Sequence, residues 1–152
     1  MVIDSGTITV NAVDDGIRGK DYLVVNGGTI TVGACGDGLK SDNEEDATKG
    51  YVSIAGGTLA VTAAGDGIDA VTDVVVTNGD LTVASGGGST TTPAADASSA
   101  KGIKGTASVV IEGGQLAIDS ADDAVHSNGT VTINGGTLTA ATGGDADDTA
   151  TG

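Results

Sequence analysis

Residues 121–136 read ADDAVHSNGTVTINGG and contain the pattern that decides the fold. Two aspartates precede the apolar residue Val125, an alternating segment TVTI follows, and a glycine pair closes the stretch. Alternation of apolar and polar residues over a short segment is typical of a β-strand with one buried face. Acids stand in the same place at 13–19 (VDDGIRG), 35–41 (CGDGLKS) and 64–70 (AGDGIDA). The stretch is therefore one copy of an internal repeat.

A glycine before each of six short strands fixes the length of the repeat. These glycines are Gly6, Gly28, Gly57, Gly79, Gly114 and Gly136, at intervals of 22, 29, 22, 35 and 22 residues. The unit is therefore 22 residues, and insertions lie near 43–49 (NEEDATK) and near 86–98 (GGGSTTTPAADAS). Apolar residues recur five and three positions before this glycine, and two and four after it. Glycine suits the corner between two strands because it readily takes a positive φ.

Two strands and a short third segment in every unit predict stacked coils with three faces. We predict an all-β fold, a right-handed parallel β-helix of about six coils that forms one domain over residues 1–152. A left-handed hexapeptide helix would need roughly 18 residues per coil. A β-sandwich is the other alternative, but it does not account for constant spacing in parallel register. Residues 143–152 lose the pattern and are expected to be a frayed or truncated end.

The composition narrows the function classes. The chain has 21 acidic residues, 6 Lys and Arg residues, and a net charge of −15. Nucleic acid is not an expected partner, because phosphate contacts need a basic surface. No apolar run approaches ~18 residues, so no membrane insertion is expected. The single cysteine, Cys35, excludes an intramolecular disulfide and is expected to be buried.

The acids align in one column on the 22-residue register. The column reads Asp15, Asp37, Asp66, Lys101 and Asp123. Adjacent coils lie about 4.8 Å apart, and calcium binds oxygen at roughly 2.3–2.6 Å, so one calcium would fit between carboxylates of successive coils. We therefore predict calcium as a cofactor. Its predicted ligands are Asp14, Asp15, Asp37, Asp42, Asp66, Asp69, Asp122 and Asp123.

Two observations qualify the calcium sites. Lys101 interrupts the column, so separate sites are expected on either side of it. Aspartate also suits tight turns, where its carboxylate caps its own backbone, and this alternative requires no metal. His126 is expected to form hydrogen bonds or pack in a turn.

The quoted motifs also resemble a known family. Residues 98–140, SSAKGIKGTASVVIEGGQLAIDSADDAVHSNGTVTINGGTLTA, resemble the bacterial calcium-associated carbohydrate-binding β-helix domains, and so do residues 36–70 with their acidic insertion. The similarity covers essentially residues 12–142. It implies a β-helix similar to that of pectate-type lyases, calcium on the aspartate column, and an extracellular or cell-surface location. It also implies binding to plant cell-wall polymers such as cellulose and acidic pectic chains.

The favoured function is a non-catalytic polysaccharide-binding module. Arg18, Lys40 and Lys104 share one column and are the predicted carbohydrate-binding residues, since they could meet uronate carboxylates. They could equally pair with neighbouring aspartates. The alternative is a calcium-dependent lyase with Lys40 as its base, but a lysine among acids should keep its proton, so no enzyme activity is expected.

A structural or adhesive surface protein is the third hypothesis. Outward threonines such as Thr29 and Thr31 form an array that could bind ice or a crystalline surface, although Asp80 and Gln115 interrupt it. Such threonines also suit any exposed strand face. An open solenoid leaves unpaired backbone at its ends, which also permits end-to-end self-association.

Overall fold

The computed structural model describes residues 1–92, 97–98 and 100–143, and this part of the chain contains 17 strands and no helix. The strands form three sheets in which every described pairing is parallel. Successive strands along the chain belong to different sheets, so the backbone passes from the first sheet to the second and the third and then repeats. The predicted all-β parallel β-helix of about six coils is confirmed.

The first two sheets contain six strands each. The first consists of β1 (Val2–Ile3), β4 (Tyr22–Val25), β7 (Tyr51–Ile54), β10 (Asp73–Val76), β13 (Ser108–Ile111) and β16 (Thr130–Ile133). The second consists of β2 (Thr7–Ala12), β5 (Thr29–Ala34), β8 (Thr58–Ala63), β11 (Asp80–Ser85), β14 (Gln115–Ser120) and β17 (Thr137–Thr142). Between them lies the glycine corner. Gly6, Gly28, Gly57, Gly79, Gly114 and Gly136 all have positive φ there, as the repeat predicts.

The third sheet is built from the short segments that follow the acids. It consists of β3 (Ile17–Arg18), β6 (Leu39–Ser41), β9 (Ile68–Ala70), β12 (Ile103–Gly105) and β15 (Val125–His126). Its register pairs Ile17 with Leu39, Leu39 with Ile68, and Ile103 with Val125. The residues predicted to lie in one column therefore do so.

The core is a narrow aliphatic stack along the axis of the solenoid. Each inward column contributes one Val, Ile or Leu per coil, and residues such as Leu23, Ile68 and Ile103 are fully buried. Burial of such side chains contributes about 1.5–3 kcal/mol each. At the last coil the same columns are open, because Val131 and Ile133 are 45% and 51% exposed.

The two insertions border the third sheet. The first lies between β6 and β7, and the second lies between β11 and β12. Residues 93–96 and 99 of the second insertion, and residues 144–152 of the predicted frayed or truncated end, lie outside the described part of the chain. The expectation for Cys35 is wrong: this residue is exposed. It follows the last residue of β5 and continues the outward side of the alternation in which Ile30 and Val32 are buried.

Candidate functional site

The acidic column forms a directional ladder of hydrogen bonds along the third sheet. The backbone N–H of Asp37 donates to Asp15 Oδ1 at 3.0 Å, and that of Asp66 donates to Asp37 Oδ1 at 2.8 Å. The backbone N–H of Lys101 continues the ladder with a bond to Asp66 Oδ1 at 2.7 Å. Each carboxylate therefore binds the backbone of the next coil, and not its own turn as the turn-capping alternative assumed.

Two lysines of the next column neutralise the second oxygens of these carboxylates. Lys40 Nζ lies 2.6 Å from Asp37 Oδ2 and 3.3 Å from Asp15 Oδ2. Lys104 Nζ lies 3.1 Å from Asp66 Oδ2 and 3.0 Å from Asp69 Oδ1. Each ammonium therefore bridges two carboxylates, and the Lys40 pair spans adjacent coils.

Burial and charge act in opposite directions on these groups. Burial disfavours the Lys40 ammonium, but the hydrogen bond to Asp37 and the charges of Asp37 and Asp15 outweigh it, so the pKa of Lys40 is raised. The pKa of Lys104 is raised by Asp69 and Asp66 in the same way, although its burial also opposes the charge. Burial raises the pKa of Asp69, against the effect of Lys104. Both lysines are therefore charged at neutral pH and unsuited to act as a general base.

Other predicted ligands have partners of their own. Arg18 Nε donates to Asp42 Oδ1 at 3.1 Å, and its guanidinium also contacts the second oxygen of Asp42. Asp122 Oδ2 lies 2.6 Å from Lys101 Nζ. Asp123 Oδ2 lies 2.9 Å from His126 Nδ1, and His126 Nε2 lies 3.1 Å from Asn128 Oδ1. His126 forms hydrogen bonds as predicted, whereas Asp14 is exposed at the start of the ladder.

The predicted carbohydrate-binding residues thus all have carboxylate partners. Arg18 pairs with Asp42, Lys40 with Asp15 and Asp37, and Lys104 with Asp66 and Asp69. The sequence left open whether these cations meet uronates or neighbouring aspartates, and the side chains adopt the second arrangement. Any acidic sugar would have to compete with these pairs.

The carboxylate oxygens of the acidic column suit a hard cation such as calcium, but only two carboxylates converge at each position. Two carboxylates converge at Lys40 Nζ and two at Lys104 Nζ, and carboxylate oxygens are the donors that calcium prefers. Within the described ranges, no group of three or more His, Cys, Asp or Glu side chains is arranged to hold a metal ion. A calcium there would need backbone carbonyls or water as further ligands, and it would displace an ammonium.

The surface also carries a shallow groove that the sequence did not indicate. It has a volume of about 550 Å³ and runs across three coils at the end of the second sheet. Its lining includes Asn11, Val13, Cys35 and Ala64. These residues lie two to four positions before Asp15, Asp37 and Asp66, and Gly87 of the second insertion also contributes to the lining.

The molecule is thus an acidic parallel β-helix whose ordered polar columns lie on its outer surface. A family model described as a carbohydrate-binding domain-containing protein matches residues 1–146. The chain belongs to this family of carbohydrate-binding domain-containing proteins, and the predicted class of ligand is confirmed at that level. Neither a curated protein nor a solved structure matches the chain significantly. No helix long and apolar enough to cross a membrane occurs among the described residues.

Proposed function

We propose that this chain is a non-catalytic module that binds polysaccharides of the plant cell wall on the surface of a bacterium. The observation that carries this proposal is the family match, which covers residues 1–146. The choice of plant polymers and of an extracellular or cell-surface setting rests on the resemblance of residues 12–142 to the calcium-associated β-helix domains. Insoluble polymers of this kind are met outside the cell, where such a module would attach its host to them.

The proposal includes calcium because the available donors are carboxylate oxygens, which calcium prefers. Its ligands would be the paired carboxylates of Asp15 with Asp37 and of Asp66 with Asp69, together with water or backbone oxygens. Bound there, it would supply positive charge to a protein with a net charge of −15. That charge matters most for acidic pectic chains, because an unscreened acidic surface repels them. A neutral chain such as cellulose has no such requirement.

The charge state of the lysines argues against a lyase. A β-elimination needs a neutral lysine or arginine as base, and the carboxylates beside Lys40 raise its pKa. The same carboxylates would have to be released before a uronate could approach. Non-catalytic binding of a polysaccharide therefore explains the site better than a lyase reaction does.

A pull-down on insoluble polysaccharides tests the proposal. We expect retention on microcrystalline cellulose both in calcium and in chelator, and retention on pectate gel only in calcium. Bovine serum albumin serves as the control for nonspecific retention. If the protein binds neither cellulose nor pectate in calcium, the proposed function is contradicted. Absorbance of unsaturated product from polygalacturonate should stay at the level of the buffer, and a calcium-dependent rise would establish the lyase instead.

A further inference from the structure

The only aromatic residues of the chain stand side by side on its surface. The sequence contains two tyrosines and no Phe or Trp. Tyr22 begins β4, Tyr51 begins β7, and the two are direct register partners on adjacent coils. Their ring centroids are 5.7 Å apart and their planes differ by 17°, which is the range of offset stacking. Tyr22 is 37% exposed and Tyr51 is half-buried, so the pair presents ring surface to solvent.

The pair is not needed for the hydrophobic core. The inward residues of the first sheet are aliphatic and fully buried, as Leu23 and Val52 show. The same outward column continues with Asp73, Ser108 and Thr130, so the position itself does not require an aromatic ring. Aromatic rings at two adjacent coils therefore call for another explanation.

The first insertion brings polar groups beside the rings. Asp21, the neighbour of Tyr22, accepts a hydrogen bond from Asn43 Nδ2 at 2.6 Å, and its carboxylate lies 3.2 Å from Lys49 Nζ. The N–H of Gly50 donates to the carbonyl oxygen of Asp21 at 2.6 Å. Asn43 is buried, whereas the side chains of Lys49 and Asp21 are 42% and 45% exposed. The base of the insertion is thus held against the coil that carries Tyr22.

Internal hydrogen bonds fix the shape of the insertion. Asn43 Oδ1 accepts from the N–H groups of Glu45 and Asp46 at 2.9 and 3.1 Å. Asp46 Oδ1 in turn accepts from the hydroxyl of Thr48 at 2.7 Å. A loop pinned in this way holds its polar groups in place, which lowers the entropy lost when a ligand binds.

We propose that Tyr22 and Tyr51 form a sugar-stacking site, flanked by Asp21 and Lys49 as hydrogen-bonding groups. This inference rests on the proposed function and locates its ligand. A pyranose ring has an apolar C–H face, which suits an aromatic surface, and a rim of hydroxyl groups, which need both donors and acceptors. The exposed ion pair supplies one of each: the ammonium donates and the carboxylate accepts. Because the two rings stack on each other, each covers one face of its neighbour, and a pyranose ring would contact the uncovered face at one end of the pair.

The site has its own optical reporter. Because the chain has no other aromatic residue, tyrosine fluorescence and near-ultraviolet absorbance come from this pair alone. Titration of the wild-type protein with cellohexaose, and separately with a galacturonate hexamer in calcium, should change the tyrosine emission in a saturable manner. The Tyr22→Ala and Tyr51→Ala variants should bind at least tenfold more weakly to the polymer that retains the wild type.

Two further variants serve as controls. Tyr22→Phe keeps the ring and should bind within about twofold of the wild type. Thr130→Ala removes an exposed side chain from the same outward column, four coils away from Tyr22, and should bind normally. Circular dichroism melts check that each variant is folded.

The outcomes separate this inference from the proposed function. Retention of the alanine variants at the wild-type level, or saturation of the wild type without a change in tyrosine emission, would overturn the stacking site alone. If the alanine variants do not fold, the wild-type emission change decides by itself. If the wild type binds neither polymer, the proposed function fails and the stacking site fails with it.

Discussion

Lysine side chains bridge the carboxylates of adjacent coils at the positions where the sequence suggested a metal. Lys40 Nζ contacts the carboxylates of Asp15 and Asp37, and its side chain is only 23% exposed. One ammonium between two acids lowers their mutual repulsion, and a hydrogen bond to a charged group contributes about 1.5–3 kcal/mol when it is well shielded. The pair is partly exposed, so solvent screening reduces this figure.

Replacement of Lys40 by methionine tests this role and the calcium proposal together. The Lys40→Met variant leaves Asp15 and Asp37 without their shared cation, and we expect a loss of about 1–2 kcal/mol in the free energy of unfolding in chelator. Millimolar calcium should recover part of this loss, because the metal no longer competes with an ammonium. In the wild type, calcium should raise the melting temperature by a smaller amount. The measurement is a thermal melt of both proteins with calcium and with chelator.

A control separates the bridge from a general charge effect. Lys20 carries the same charge in the same segment of the chain and is exposed, without a bridging position in the ladder. Lys20→Met should leave both melts close to those of the wild type. Transitions that are identical with and without calcium, in the wild type and in Lys40→Met alike, would rule out calcium at this ladder.

At the scale of the elements, the glycine that follows the acidic column in the first four copies of the repeat allows the coils to approach closely. A Cβ added to Gly67 would lie 2.2 Å from Val83 Cγ1 and 2.6 Å from the carbonyl oxygen of Gly102 in the next coil. Gly38 and Gly102 show the same collisions, although none of the three has a positive φ. The last copy has Ala124 instead, and no strand of the described residues follows β15 in the third sheet. The glycine of the D-G pair is therefore required by the short distance between adjacent coils, which leaves no room for a side chain.

Alanine substitutions at two glycines should separate close approach from backbone strain. Gly67→Ala forces the core valine and the neighbouring coil apart, and we expect a loss of about 3 kcal/mol in the free energy of unfolding. Gly6 has a φ of 110° and nothing within 4 Å of its added Cβ. Gly6→Ala should therefore cost about 1–2 kcal/mol, from strain alone. Urea unfolding measures both, and equal losses would contradict the packing explanation.

The elements were predictable because each follows from local spacing. Period-2 segments at a constant interval of 22 residues fix the strands, their parallel register and the inward columns, and the structure agrees at Leu23, Ile68 and Val109. The partners of Arg18, Lys40 and Lys104 were not predictable in the same way. A long flexible side chain reaches several acids in its own and adjacent coils, so the choice depends on three-dimensional distances. Cys35 was misjudged because it stands among small apolar residues, although the alternation of β5, in which Ile30 and Val32 are buried, places it on the outward side.

For the whole molecule, the last coil leaves the apolar columns uncovered. Val131 and Ile133 are 45% and 51% exposed, while their counterparts Val109 and Ile111 in the preceding coil are 0% and 1% exposed. Among the described residues, strands β16 and β17 also lie at the edges of their sheets. At the other end, Ile8 and Val10 of β2 are half-buried, whereas Ile3 and Ile17 are 9% and 7% exposed. The net charge of −15 opposes contact between the two ends of the solenoid.

We propose that the solenoid can associate end to end, and this association should depend on salt. Screening weakens repulsion beyond about 8 Å at physiological ionic strength, so the mean molar mass should rise with sodium chloride and with protein concentration. Ile133→Lys should suppress this rise because it places a charge on the open apolar column. Thr132→Lys adds the same charge on the same strand but faces outward, and it should have a weaker effect. Sedimentation equilibrium measures the mass, and a monomer under all conditions would exclude the contact.

The constant register has a consequence for how the length of such a molecule can change. Ser108 pairs with Thr130 on one side and with Asp73 on the other. Removal of residues 108–129 would place Thr130 opposite Asp73, with every inward column still aligned. The molecule can therefore be lengthened or shortened by whole coils of 22 residues. Each remaining coil still packs against a neighbour of the same shape. The length of each outward face can therefore change by one coil at a time, whichever side chains the coils carry on that face.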